Sequence, residues 1–501
     1  MKRGHFSADG TCQACSRSEI ILLAVLLCLS VFVRLIQISQ PFMDAWSWRQ
    51  ADDAMIARNF YGHGYDIFYP QIDWAGSLPG YVGTEFPLVT FVAALLYPLF
   101  GVREWVGRSI SVLFFAASVP LFYLFVKKVF NERSAFCAVA IYACTPLTVF
   151  AARSFMPDMA SLGLSIWGLY LFSEWLQHPT DTKLMLGGSL ATGLAILVKL
   201  PAVIIGLPFA YMAWKQDGSR FLRNRGLWLV AVLCLFFPFC WYSHAYLISL
   251  SYAPYMFFGE GGLRLHSIEV PYISILRRFA TVGITPLAFV AAVVGAILPC
   301  RTKFGHVFHW WLLAMVLFIF LAGSGNRHPW YQLPAVPIAA ALAGAACDFI
   351  SRRLTSNASL VLGLIFFGGL AYLSDTYVRP LYHPWAAPLV AAGREVGEIA
   401  PEAALVVVAD EGDSSALYYS GHRGWHFLPN LGARPSDSQQ AIAELERLKR
   451  EGARYLVFTQ YSCWWLSYYK QFAAYLQARY PRISETREYV IFDLGHDRIR
   501  R

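Results

Sequence analysis

IILLAVLLCLSVFVRLIQIS, from Ile20 to Ser39, is long and apolar enough to cross a bilayer as one helix. A spanning helix needs about 20 mostly apolar residues. Working outward, runs of the same kind centre on 107–126, 134–152, 158–176, 184–199, 201–214, 226–247, 281–299, 306–322, 330–349 and 357–374. A shorter run, 87–100, contains Pro98 and is expected to be re-entrant or interfacial. The expectation is a polytopic all-α membrane protein of about 11–13 transmembrane helices.

Composition agrees. Of 501 residues, 57% are hydrophobic and 15% charged, against about 45–50% apolar and about 25% charged in soluble proteins. So few charges cannot clothe a soluble protein of this size. The 16 Trp and 27 Tyr suit rings lying at the headgroup level. The net charge of +9 sits in short loops between apolar runs, which points to membrane topology and away from nucleic acid. Among the 10 Cys, Cys28, Cys137, Cys144, Cys234 and Cys240 lie inside apolar runs, where they act as small hydrophobes. Cys12 and Cys15 form a lone CxxC in the N-terminal tail, without the second pair a zinc site would need. The run after Met1-Lys2-Arg3 is too long for a cleaved signal and lacks an A-x-A exit, so it is expected to stay as the first span.

Basic loops set the expected orientation. Lys215, Arg220, Arg223 and Arg225 form one; Lys127, Lys128 and Arg133 another; Arg301 with Lys303, and Arg352 with Arg353, two more. By the positive-inside rule these face the cytoplasm, as does the tail 1–19. The loop 40–86, the turn 153–158, the loop 248–280, the turn 323–330 and the C-terminal segment then lie outside. After about residue 380 the texture changes: strand patterns at 404–409, 455–459 and 488–494 alternate with helical ones at 439–451 and 468–479. Such alternation predicts a small external α/β domain over 380–501, following a transmembrane domain over 20–379.

The loop QPFMDAWSWRQADDAMIARNFYGHGYDIFYPQIDWAGSLPGYVGTEFP (Gln40–Pro87) is polar, aromatic and long, and loops of this length are usually functional. Residues 45–60 predict an interfacial helix, with Trp48, Ala51, Met55 and Phe60 on an apolar face. Asp44, Arg49, Asp52 and Asp53 would then face water. The bland reading of Asp44, and of Asp158 after Pro157, is helix capping. Against it stands the company they keep, since Asp44, Glu85, Arg153 and Asp158 fall on one face of the membrane. Charges at that boundary are costly without a partner or a purpose. Lys199 in ILVKLP either snorkels or binds an anion. The turn GSGNRHPWYQLP adds Arg327, His328, Tyr331 and Gln332 as a polar ligand site.

In this order — a loop with an early Asp and WRQAD, then EFP, MPDM, KLP and HPWYQLP — the chain resembles bacterial membrane glycosyltransferases. These are the enzymes related to protein O-mannosyltransferases and to the lipid A aminoarabinose transferase, and the resemblance covers residues 20–375. It implies a GT-C fold and a hexosyl- or pentosyltransferase of the bacterial inner membrane. The donor would be a polyprenyl-phosphate sugar, and transfer to a lipid, glycan or protein acceptor would occur on the periplasmic face with inversion. It also implies Asp44 as the catalytic carboxylate, with Glu85 and Asp158 lining the site. Arg49, Arg153, Lys199, Arg327, His328, Tyr331 and Gln332 would receive the donor. Asp44 is followed by Ala45 where relatives often carry an Asp-Glu pair, so Asp52 and Asp53 stand as alternative bases. No cofactor is required, and a divalent metal is compatible with the acids although no ligand spacing demands one.

A lipid-linked donor suits the physics, because its tail stays in the bilayer while the sugar sits at the interface. The C-terminal strands carry no Gly-rich phosphate loop of the kind a nucleotide sugar would need. A flippase of polyprenol-linked sugars is the main rival, yet transporters tend to show repeats and midplane charges. A ligand sensor with an external domain would leave the many spans and the acidic loop without a purpose.

Overall fold

The first helix, α1 (Arg17–Leu35), exposes most of its apolar surface, buries Glu19 beside Lys127 and encloses completely the charge of Arg34. In the computed structural model, which describes residues 16–256, 272–322, 328–428 and 433–496, that charge is explained by a break elsewhere. Pro146 has no N–H, and it drives Thr145 into extended backbone at φ −66°, ψ 139°. The run 134–152 is therefore two helices, α5 (Glu132–Cys144) and α6 (Pro146–Ala151). The break frees the carbonyls of Tyr142, Ala143 and Cys144. Thr145 Oγ1 donates to the first at 3.3 Å, Arg34 Nη2 to the second at 3.0 Å, and the Ser374 hydroxyl to the third. In lipid such groups must find partners within the protein.

Between and beyond these lie α2 (Ser47–His63), α3 (Leu88–Phe100), α4 (Glu104–Val129), α7 (Asp158–Trp175), α8 (Thr182–Val198), α9 (Gly206–Asp217) and α10 (Arg225–Ser251). Then come α11 (Tyr272–Arg278), α12 (Pro286–Ala296), α13 (Val307–Ala322), α14 (Ala335–Ser351), α15 (Ser356–Val378) and α16 (Ala387–Ile399). Among the described residues, α1, α4, α10 and the stretch beginning with α15 are each long and apolar enough to cross a membrane unaided. Tyr272–Gly283 and α12 make a further candidate span, bent by 109°. Four shorter apolar helices, α3, α8, α13 and α14, complete a multi-pass membrane protein. The runs 201–214 and 330–349 begin as 3₁₀ turns, Leu200–Ile205 and Pro329–Gln332, again with proline in the first turn.

The C-terminal segment folds as a five-stranded sheet. Its strands are β1 (Leu405–Ala409), β2 (Gly424–His426), β3 (Ala453–Thr459), β4 (Arg482–Glu485) and β5 (Tyr489–Asp493), in the order β2-β1-β3-β5-β4. The first three strands are parallel and β5 is antiparallel to both neighbours. Helices α17 (Ser415–Ser420), α18 (Ser438–Arg450), α19 (Trp465–Tyr468) and α20 (Lys470–Arg479) connect them. The two-residue period of the strands sorts side chains cleanly. Val407, Leu456 and Phe492 pack with Leu445 of α18 and Phe472 of α20. Val406, Val408, Val457 and Ile491 face the other way, into a core shared with Phe42, Met55, Ile56 and Phe60 of the first loop.

That shared core corrects the reading of α2 as an interfacial helix with its acids in water. Asp44, Asp52 and Asp53 are buried together with Ala51, Met55 and Phe60: the sheet domain covers the side of α2 that carries Asp52, while Asp44 faces Arg108 and Arg153 and Asp53 faces Arg49. Backbone pairing fixes the contact. Gly76 N donates to Gly424 O at 2.7 Å and Gly424 N to Asp73 O at 2.8 Å, so the loop covers the edge strand β2. Ser47 Oγ donates to Asp413 at 2.6 Å, and Tyr419 joins Phe42 N to Glu104.

Gly76 has φ +64°, and a Cβ there would stand 2.1 Å from the Trp425 ring. Gly76→Ala is expected to destabilise the loop–sheet contact by about 1–3 kcal/mol. The readouts are a lower thermal midpoint and faster proteolysis of segment 64–87; an unchanged cleavage rate would show that the loop is held elsewhere.

Candidate functional site

Two ionic groups flank the start of helix α2. The first is centred on Asp44, which is completely buried. Its Oδ2 accepts from Arg153 Nη1 at 2.5 Å and from Arg108 Nη2 at 3.3 Å, and its Oδ1 accepts from Gln50 Nε2 at 2.8 Å. Arg153 also donates to Gln37 O at 2.7 Å, and Arg108 to the carbonyls of Ile38 and Gln40. Gln50 Oε1 receives Phe155 N at 3.2 Å. The start of the loop is thus tied to α4 and to the turn before α7. Asp44 is no helix cap: the N-cap of α2 is Trp46, in left-handed backbone at φ 64°, with no side-chain bond.

The second group brings together Arg49, Asp53, Glu85, Asp158 and Lys199. Arg49 Nη2 donates to Glu85 Oε2 at 2.9 Å, and Arg49 Nε lies 3.8 Å from Asp53 Oδ2. Lys199 Nζ is 2.8 Å from Asp158 Oδ1 and 3.8 Å from Glu85 Oε1. Arg49 and Asp53 come from α2, and the other three from element boundaries. Lys199 stands in extended backbone between α8 and the 3₁₀ turn. Asp158 opens α7 without capping it. Glu85 lies in the segment held by Phe86 N to Leu197 O and by Trp241 Nε1 to Thr84 O.

The two carboxyls beside Arg49 differ sharply. Burial pushes Asp53 up to about 7, an effect that Arg49 only partly offsets, and its Oδ2 has no hydrogen-bond partner among the described residues. Burial also works against ionised Glu85, but Arg49 and Lys199 outweigh it and hold Glu85 at about 2. Asp52 turns elsewhere. Burial raises it too, while Ser414 and Trp74 Nε1, the latter at 3.3 Å, hydrogen-bond it.

An aromatic wall adjoins the second group. Tyr331 lies with its ring 5.1 Å from Lys199 Nζ, and His328 stacks on Trp330 at 4.3 Å and 9°. Trp48 of α2 meets both rings of that stack at about 6 Å. Asp158, Lys199, Trp330 and Tyr331 line one cavity, and Gln332 is buried beside them in sequence. Arg327 lies outside the described residues. Among the described residues no three His, Cys, Asp or Glu side chains converge as metal ligands. The carboxylates of the second group already face Arg49 and Lys199.

The sequence reading missed Arg108 and Gln50. A visible signal existed for Arg108, a charge inside the apolar run 107–126 whose burial demands a partner. Gln50 gave none, since an amide signals its partner only once the helix is placed.

The chain matches the Dolichyl-phosphate-mannose-protein mannosyltransferase family over residues 84–243. It is 24% identical over 302 residues to an uncharacterized protein of Aquifex aeolicus, covering 57% of this chain and 66% of that one, a little under two thirds of the relative's length. Among solved structures, ArnT from Cupriavidus metallidurans, bound to undecaprenyl phosphate, superimposes with TM-score 0.63 at 16% identity over 95% of this chain and 98% of its own. The oligosaccharyltransferase AglB from Archaeoglobus fulgidus, in complex with an inhibitory peptide and a dolichol-phosphate, gives TM-score 0.62 at 13% identity over 94% and 74%. The chain has the GT-C fold of membrane glycosyltransferases.

Proposed function

We propose that this protein is an inverting glycosyltransferase that moves a sugar from a polyprenyl-phosphate donor to an acceptor at the periplasmic face of a bacterial inner membrane. The observation that carries the reading is the Arg49–Asp53–Glu85–Asp158–Lys199 cluster beside an aromatic-walled cavity. The undecaprenyl phosphate bound by the similarly folded ArnT supports a lipid-linked donor.

In this reading the acceptor's oxygen or nitrogen attacks the anomeric carbon. The bond from that carbon to the phosphate oxygen breaks, and its electron pair stays on the phosphate. Lys199 and Arg49 meet the developing charge, with Arg327, His328, Tyr331 and Gln332 as further donor contacts. Glu85 and Asp158 hold the two cations in place. The acceptor's proton goes to Asp53. A general base works best with a pKa near the operating pH, and Asp53 is held at about 7 with an oxygen to spare. Asp44, whose oxygens are taken up by Arg153, Arg108 and Gln50, and Arg153, which donates to Asp44 and Gln37 O, serve as positioning residues.

The direct test is transfer of label from radiolabelled polyprenyl-phosphate sugars in membranes containing the wild-type protein. Label crossing the bilayer without transfer would favour a flippase.

Because the base must be ionised, kcat/KM is expected to rise with pH through about 7 and then level off. Asp53→Asn should abolish transfer while leaving the thermal midpoint unchanged or raised; a fully active Asp53→Asn removes it as the base. Asp44→Asn breaks a buried pair, and a loss of about 3–5 kcal/mol is expected, visible as a lowered midpoint. A stable but inactive Asp44→Asn would return the base assignment to Asp44. Lys199→Gln should lower kcat by about 10²–10³, whereas unchanged donor kinetics would place the phosphate elsewhere.

A further inference from the structure

A second cavity lies at the other end of the molecule. Lys199 precedes the 3₁₀ turn and α9, and Lys215 is in the last turn of α9. Fifteen residues of helix, 200–214, lie between them, roughly 25 Å of rise. The cavity lies between the end of α9 and the start of α13, lined by Trp214, Lys215, His306, His309 and Leu313. Tyr211 and Trp310, stacked at 5.7 Å and 20°, form its wall.

Three features bear on what it holds. Its basic lining groups are one ammonium, Lys215, and two imidazoles, His306 and His309. Lys215 Nζ lies 4.9 Å from the Trp214 ring, the His306 and His309 rings are 5.2 Å apart, and among the described residues no carboxylate lines it. His309 Nε2 donates to Ala296 O at 2.9 Å, which fixes its ring in the cavity wall. Arg220, Arg223, Arg301 and Lys303 surround the same end in sequence, with Asp217 as the one acid in the 215–225 segment.

The third feature is where the cavity leads. Leu313, which lines it, is followed by Leu317 and Leu321 at four-residue spacing, and all three are exposed, at 43%, 48% and 52%. On a helix this spacing makes one continuous stripe. A cationic aromatic pocket at the end of a lipid-facing apolar stripe has the shape and chemistry of an amphiphile's seat. Tryptophan and tyrosine rings favour the headgroup level, and basic side chains there attract anionic lipid.

We infer that this cavity binds the phosphate headgroup of an anionic membrane lipid, with one acyl chain lying along Leu313, Leu317 and Leu321. A free phosphate could use the same cations but would gain nothing from the stripe. This site is separate from the Lys199 cluster and does not rest on the proposed transfer reaction.

The test uses the full-length protein in detergent, with its thermal midpoint followed as lipid is added. A short-chain phosphatidylglycerol should raise the midpoint of the wild type, and the matching phosphatidylcholine should raise it far less. Inorganic phosphate at the same concentration should leave it unchanged. In Lys215→Gln/His306→Gln, both exposed residues, most of the phosphatidylglycerol rise should be lost. Leu317→Gln, which leaves the cations in place, should also reduce it. Retention of the full rise in both variants, or equal rises with the two lipids, would overturn the assignment. A rise with inorganic phosphate alone would make this a free-anion site and would equally overturn it.

Discussion

The buried clamp on Asp44 is the constraint on which the rest of the site depends. One carboxylate receives two guanidinium groups and an amide with no water in reach. A pair of this kind adds little net stability, because desolvation consumes most of the attraction, yet losing one partner strands a charge in the interior. Its consequence is therefore geometric. The chain leaving α1 is tied at Gln37, Ile38 and Gln40 to arginines from α4 and from the turn after α6. Trp46 is held in left-handed backbone and α2 starts at one defined angle. Arg49 and Asp53 ride on that helix, so their distance from Glu85 and Lys199 follows from a clamp in which neither takes part.

The sheet domain acts on the same helix from the other side. Its inner face shares a core with Met55, Ile56 and Phe60, while Asp413 and Ser414 engage Ser47 and Asp52. Removing water from that face raises the pKa of Asp52, and burial in the Arg49 group does the same to its neighbour Asp53. Glu85, half-buried in the same group, stays low because two cations reach it. Burial alone and burial with ion pairing pull a carboxyl in opposite directions, and the loop uses both within a few ångströms.

Breaks in the helices serve a related end. Thr145 lies where a proline interrupts a run that reads as one span, and Lys199 and Pro329–Gln332 lie where a proline in a 3₁₀ turn opens the next run. A regular helix would bury its backbone groups in its own ladder and carry side chains only at helical spacing. The interruptions place Lys199 and Tyr331 against one another and leave carbonyls that Arg34, Thr145 and Ser374 satisfy.

The sequence by itself determined the solvent of this protein and much of its outline. Apolar runs of spanning length, scarce charge and basic short loops leave no soluble alternative. The strands at 405–409, 453–459 and 489–493 were legible because buried β-branched and aromatic residues have few other uses. The short strands β2 and β4 and the helix α17 were not, since Gly424–His426 becomes a strand only by pairing with Val406–Val408. The acids of the first loop announced a site, and Lys199 and Glu85 were visible as charges at apolar boundaries. Which of them meet was decided by the tertiary structure alone. Local pattern reports the face a helix would show to water if nothing covered it. The polar face of α2 is covered by a domain more than 300 residues further along the chain, and no local periodicity records so distant a contact.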